Sequence, residues 1–200
     1  MVGRVSQKLP EGIEVEFDGR YRSMFAYKAK NYALQEYDGR IIIKGSGLRS
    51  RGMEPYLREF MRDVIELLLA GKADMVERLF DRYAARLRSR VLDIAWVARS
   101  EALNESPESY REKLRAGKRN HSAAFEIALA SGKTYRAGDH VSYYVSGSGR
   151  DATAYELCRP AAAFDPAHPD INVPYYIEKL RHVQKRFEPF LPKEPTLFDL

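Results

Sequence analysis

Cations gather in three places along this chain of 200 residues. The stretch YKAKNYALQEYDGRIIIKGSGLRSRG, residues 27–52, carries Lys28, Lys30, Arg40, Lys44, Arg49 and Arg51 against only Glu36 and Asp38. Farther on, Arg78, Arg82, Arg86 and Arg90 recur four apart, which puts them in a rail along one helix face. The segment REKLRAGKRNH adds Arg115, Lys118, Arg119 and His121 beside a glycine. Ammonium and guanidinium groups on two elements that face one groove suit a phosphate backbone, which they hold without reading base sequence. Each cluster also has a plainer reading. An edge-strand lysine discourages aggregation, and an arginine rail beside Asp74, Glu77 and Asp81 is a solvated face laced by ion pairs. By residue type and spacing alone, the chain reads as a DNA- or RNA-binding domain.

Catalytic constellations are missing. There is no phosphate loop at Walker spacing and no dinucleotide fingerprint. The single cysteine, Cys158, excludes a paired-cysteine zinc site and an internal disulfide, and it reads as a small hydrophobe in a reducing cytoplasm. The four histidines, His121, His140, His168 and His182, are scattered. Two-metal phosphoryl chemistry needs clustered carboxylates. The acids here are spread among basic neighbours, and Asp165 and Asp170 form only a loose pair in a proline-rich loop. We assign no catalytic and no metal-ligating residue, and expect no cofactor on this chain.

The formal net charge of +5 is compatible with a nucleic-acid partner without requiring one. The length suits one domain or two small lobes. MVGRVSQKLPEG lacks the apolar run of a signal peptide. VIELLLA is too short to span a bilayer, so no membrane contact is expected.

The elements that must position these cations follow from periodicity. Ile13, Val15 and Phe17, then Phe25 and Tyr27, then Ile41 and Ile43 alternate, which predicts about three antiparallel strands between Ile13 and Lys44. Asp38-Gly39 signals a hairpin with a two-residue turn, and GSGLRSRG reads as a loop. Pro55 opens a helix with Leu57, Phe60, Met61, Val64, Ile65 and Leu68 on one face and Gly71 as its stop. Asp74 and Glu77 resemble a capping box before a second helix, whose stripe is Val76, Leu79, Phe80, Tyr83 and Leu87. VLDIAWVARS predicts a strand. Ser106-Pro107 caps a helix through Tyr110 and Leu114, and Ala123 to Ala130 forms another. AGDHVSYYVSG predicts a short strand after a Gly-Asp turn, and YYIEKLRHVQKRFEPFL a final helix. The pattern is α+β: a small antiparallel sheet followed by a mostly helical lobe.

Particular residues say more. KNYAL with YDGRIIIKGSGLRSR resembles the K-x-Y segment of family B DNA polymerases, DNA polymerase II-like, at the C-terminal end of the palm. Lys30-Asn31-Tyr32 matches K-x-Y, Lys44-Gly45 the following K-G, and Leu48-Arg49-Ser50-Arg51 the Leu-x-x-Arg element. HSAAFEIALASGKTYRAGDHVSYYVSG is similar to a thumb segment of that family, and INVPYYIEKL to the Tyr-Tyr helix near the thumb's end. The matches come in family order and cover the chain from about Gly12 onward. The resemblance implies a partial palm sheet over residues 1–52, a thumb-like region over 53–191 and a tail over 192–200. It implies that Lys30 and Tyr32 lie against primer-template duplex, with Lys44, Arg49, Arg51, Arg115, Lys118, Arg119 and His121 as further DNA contacts.

The departures shape the expected function. Gly52 stands where the family usually has Asp. No Asp-x-x-Ser-Leu-Tyr-Pro and no Tyr-Gly-Asp-Thr-Asp stretch is present, and the fingers helix and proofreading domain have no counterpart here. The expected partner is therefore a polymerase chain that supplies fingers, catalytic aspartates and Mg²⁺, while this chain grips duplex DNA. A stand-alone duplex-binding module and a polymerase remnant without function are the alternatives. The tail EPTLFDL resembles the sliding-clamp peptides that end many bacterial polymerases, with Leu197 and Phe198 as anchors and Glu194 and Pro195 off pattern. The expected location is the cytoplasm, at the nucleoid.

Overall fold

The computed structural model describes residues 10, 13, 16–49, 52–149 and 155–192; of Arg49 it describes the backbone alone. Strands β1 (Ser23–Lys28), β2 (Asn31–Gln35) and β3 (Ile41–Lys44) form an antiparallel sheet in that order. A helical turn α1 (Ser46–Arg49) leads to helices α2 (Pro55–Leu69), α3 (Val76–Ser89) and α4 (Ile94–Val97). A second antiparallel sheet joins β4 (Arg99–Ala102), β5 (His140–Val145) and β6 (Cys158–Pro160), with α5 (Pro107–Arg115) and α6 (Ala123–Ala130) inserted between β4 and β5. Helix α7 (Val173–Lys185) closes the described fold. The class is α+β, as the periodicity predicts, with a second sheet inside the helix-rich part.

The register of the first sheet follows its alternation. Phe25 pairs with Ala33 and Ala33 with Ile43, and this row faces the core. Met24, Leu34 and Ile42 form the row on the opposite face. The larger core joins Phe25, Ala33 and Leu48 to Phe60, Phe80 and Phe187 from α2, α3 and the segment after α7. A smaller core gathers Leu103, Tyr110, Phe125, Val141 and Tyr143.

Several elements differ from the sequence pattern for identifiable reasons. Ile13 and Phe17 lie outside the sheet, 53% and 65% exposed, because pairing to β2 starts only at Ser23. The hairpin at Asp38-Gly39 turns through three residues: Glu36 N–H donates to Arg40 O (2.9 Å), Gly39 N–H donates to Glu36 O (3.1 Å), and Gly39 takes φ +91°. VLDIAWVARS is not one strand. Asp93 caps α4 by accepting from Ala95 N–H (2.9 Å), Trp96 and Val97 are buried against α2, and only then does β4 begin. GSGLRSRG contains α1 rather than loop throughout. The Asp74–Glu77 capping box does not form. Ala73–Met75 is a 3₁₀ turn, and the Glu77 carboxylate accepts from Gln184 on α7 instead. Ser106 does cap α5, its hydroxyl accepting from Ser109 N–H (3.2 Å). Helix α7 stops at Lys185, and Glu188–Phe190 continues as a 3₁₀ turn around Pro189, which cannot extend the helix.

Phe80 carries the α3 contribution to the larger core at 2% exposure, beneath the Arg181 guanidinium at 4.5 Å. Phe80→Ala is expected to destabilise the chain by about 3–5 kcal/mol, read as a lowered urea midpoint at unchanged slope.

Candidate nucleic-acid interface

The first cation cluster is built on two turns that meet. Strands β1 and β2 connect through Ala29 and Lys30, and Lys30 adopts φ +61°, a left-handed conformation unusual for a residue with a side chain. Asn31 holds it there. Its amide donates to Ala29 O (3.0 Å), and its Oδ1 accepts from Gly47 N–H (2.8 Å). Gly45 takes φ +91°, and a Cβ there would lie 2.3 Å from Lys30 O. The K-x-Y turn and the K-G loop therefore touch backbone to backbone, which no other residue at position 45 permits.

This packing sets Lys30, Tyr32 and Lys44 at one end of the sheet. Tyr32 pairs directly with Lys44 across β2 and β3. Lys30 and Lys44 are exposed and Tyr32 is half-buried. Neither lysine has an ion-pair partner among the described residues. Arg40, by contrast, is tied to Glu36 across the hairpin loop. Arg49 ends α1, anchored next to buried Leu48. Arg51, Leu197 and Phe198 lie outside the described residues.

Sequence reasoning missed the brace beneath this end. Arg186, just past α7, donates to Gly47 O and reaches Met61 Sδ and Tyr27 Oη, both at 3.5 Å. One guanidinium thus joins α7, α2, β1 and α1. Its spacing in the final helix resembles that of any solvated arginine, so only the fold could single it out.

The second cluster divides in two. Arg115, the last residue of α5, and Lys118 just past it are exposed, without ion pairs among the described residues. Arg119 folds back instead. It pairs with Glu105, donates to Asn104 Oδ1 (3.2 Å), and covers the stacked Tyr110 and Phe125 rings, 5.2 and 4.6 Å from their centroids. Lys113 shares Glu105 at 2.6 Å. His121 meets Glu126 through Nδ1 (2.8 Å) and stacks on Tyr155, with centroids 4.4 Å apart. This cluster belongs to the smaller core, whereas the Lys30 end belongs to the larger one.

Tyr110 connects the same network. Its hydroxyl donates to Glu126 Oε1 (2.6 Å) and accepts from Ser122 N–H (3.0 Å). Burial first, then the hydrogen bond to Glu126, pushes its phenol up to about 12.

The model of the family described as DNA polymerase family B matches residues 1–189, so the chain belongs to the family B DNA polymerases. It is 26% identical over 176 residues to a DNA polymerase of Thermococcus kodakarensis, covering 87% of this chain and 10% of that protein. It is 23% identical over 175 residues to a DNA polymerase of Methanocaldococcus jannaschii, covering 87% of this chain and 10% of that one. Its fold matches the family B DNA polymerase of Pyrobaculum calidifontis with a TM-score of 0.72 at 23% identity, over 96% of this chain and 24% of that structure. The chain thus spans between a tenth and a quarter of the length of these relatives. Among the described residues, no helix is long and apolar enough to cross a membrane.

Two outcomes follow from the second cluster. Arg119→Ala is expected to lower stability by about 1–3 kcal/mol, because Glu105 Oε1 loses its guanidinium partner and the Tyr110 and Phe125 rings lose their cover. Arg115→Ala and Lys118→Ala are expected to stay within about 0.5 kcal/mol in the same urea titration. The Tyr110 network also sets an alkaline limit. A phenol held above its unfolded value of about 10 stabilises the fold fully below that pH, and this contribution fades as pH rises toward about 12. Melting temperature followed from pH 8 to 12 should fall less steeply in Tyr110→Phe than in the parent.

Proposed function

We propose that this chain is the duplex-gripping, C-terminal palm and thumb portion of a family B DNA polymerase, and that a partner chain supplies the fingers and the catalytic aspartates. The observation that carries this reading is the outer face of the first sheet. Met24, Leu34 and Ile42 make an apolar row on the side away from the larger core; Leu34 is buried and Ile42 half-buried, while Met24 is 61% exposed. Met24 leaves apolar surface at the open edge of that row, where another layer could dock. The unpaired Lys30 and Lys44 emerge at the end of that same sheet.

In this proposal the work of the chain is positioning. The hairpin end, held by Asn31 and Arg186, presents Lys30, Tyr32 and Lys44 to the phosphates and minor-groove edge of the duplex near the growing end. Arg49 and Arg51 extend that contact, and Arg115 and Lys118 grip the backbone farther along. Arg119 and His121 stabilise the second cluster and reach DNA only from their outer edges. Among the described residues, no three His, Cys, Asp or Glu side chains gather as a metal site requires. They do not fit a Mg²⁺ pair, and the proposal places Mg²⁺ with the partner's carboxylates.

Primer extension with Mg²⁺ and all four nucleotides tests the division of labour. The reactions contain this chain, a companion family B chain bearing the fingers and aspartate motifs, and the two mixed. Synthesis in the mixture only is expected. Lys30→Ala should reduce that synthesis and weaken duplex binding while leaving the urea midpoint in place. If about 6–10 phosphates are contacted, duplex affinity should drop about 10³–10⁵-fold between about 50 and 200 mM salt. Salt-sensitive binding without synthesis in any mixture would favour a stand-alone module. A salt-independent response would remove the duplex grip altogether.

A further inference from the structure

Part of the arginine rail of α3, exposed as it is, borders a groove. Arg78 and Arg82 line a groove of about 580 Å³ between α2 and α3, with Leu67, Ala70, Met75 and Leu79 among its apolar lining. A smaller cavity of about 210 Å³ continues it past Arg82 to Arg86 and Trp96. From Arg78 to Arg86 the rail runs about 12 Å, at a rise of about 1.5 Å per residue.

The two walls carry opposite charge. The α3 wall offers Arg78 and Arg82, and Lys72 stands at its mouth. The α2 wall offers Asp63 and Glu66. No ion pair crosses the wide part of the groove among the described residues. Asp63 accepts from Tyr83 Oη (2.8 Å), and Glu66 lies 3.8 Å from Arg62 on its own helix. The Tyr83–Asp63 hydrogen bond links the two walls, and among the described residues an ion pair joins them at the narrow end. There Arg86 lies 4.0 Å from Glu59 and 3.8 Å above the Trp96 ring, while Trp96 Nε1 donates to Glu59 (2.7 Å). The groove is thus closed at Trp96 and open at Lys72, with two exposed arginines one turn apart facing two carboxylates across an apolar strip.

That polarity selects the occupant. A nucleic-acid strand is negative along its whole length, so one lying in the groove would bring phosphates against Asp63 and Glu66. A helix can present a different charge on each flank of an apolar ridge. We propose that this groove docks an amphipathic helix of a partner protein, with acidic residues spaced i, i+4 against Arg78 and Arg82, a Leu- or Phe-type ridge over Leu67 and Leu79, and a basic flank toward Asp63 and Glu66. The docked helix completes a three-helix layer with α2 and α3. The inference is independent of duplex binding at the Lys30 end.

The test uses the full chain and a fluorescein-labelled helical peptide of about 16 residues, long enough for its helix to persist. Its ridge is leucine, one flank glutamate and the other lysine. Binding is read by fluorescence anisotropy. The parent chain is expected to bind this peptide and to reject the version in which lysine replaces the glutamates facing α3. Arg78→Glu with Arg82→Glu should weaken binding of the original peptide by at least about tenfold and restore binding of the lysine version. That swap separates docking from a mere folding defect, and an unchanged circular-dichroism melt of the double variant secures it. Failure of the parent to bind the peptide, or binding that the double variant leaves intact, overturns the proposal. So does a single-stranded thymidine oligonucleotide that binds the parent and is lost in the double variant, since that would make the groove a nucleic-acid site.

Discussion

Everything else in this molecule hangs on the backbone and ring of Tyr176. Its hydroxyl accepts from Val145 N–H (2.8 Å), its carbonyl accepts from Tyr56 Oη (2.9 Å), and the two rings meet edge to face at 5.8 Å. Tyr176 and Tyr56 are almost wholly enclosed. Three elements far apart in sequence, α2, β5 and α7, are therefore fixed at one point. A buried phenol without a partner is costly, so these hydrogen bonds specify one arrangement where greasy contact alone would allow several. Burial raises both phenols far above their usual value, which keeps both protonated at any physiological pH.

From that point α7 acts as a strut. One end is capped by buried Asn172, which accepts from Tyr175 N–H (3.1 Å) and donates to Gly149 O (2.8 Å). The other end delivers Phe187 under Phe25 and Tyr27, and Arg186 onto Gly47. The strain stored at the tip is local: a left-handed lysine at position 30 and a glycine at 45 pressed against its carbonyl. Such a conformation persists only where surrounding contacts over-determine it. Asn31 and Arg186 provide those contacts, so Lys30 projects from a rigid mount. A cation carried on such a mount gains on contact, because the backbone beneath it has little freedom left to lose.

The parts legible in the sequence are those fixed by near neighbours. The stripes of α2 and α3, the Ser106 cap and the hairpin around Gly39 depend on residues within a few positions of one another, and each stands where periodicity puts it. What escaped depends on distant partners. VLDIAWVARS has enough β-branched and aromatic residues for a strand, but Trp96 finds Glu59 on α2, and Asp93 then caps a helix. Glu77 has the spacing of a capping box and is drawn to Gln184 instead. Strand β6 is three residues ending in proline, too short to leave any periodicity. At the interface, the K-x-Y and K-G residues were legible as a motif, yet their backbone contact and the brace from Arg186 were not.

Charge counting shows the same limit more sharply. A net charge of +5 and three basic clusters look like one large electrostatic footprint. The fold sorts those cations by what faces them. Arg119 with Glu105, Lys179 with Glu54 and Arg40 with Glu36 are held by carboxylates. Lys30, Lys44, Arg115 and Lys118 have none within reach among the described residues. A paired cation is partly neutralised and gives little to an incoming phosphate, whereas an unpaired exposed one brings its counterions to be released. Within the hairpin and the Arg115–His121 cluster, the field that a duplex would meet therefore comes from the cations without a carboxylate, on the sheet end and around the C-terminal end of α5.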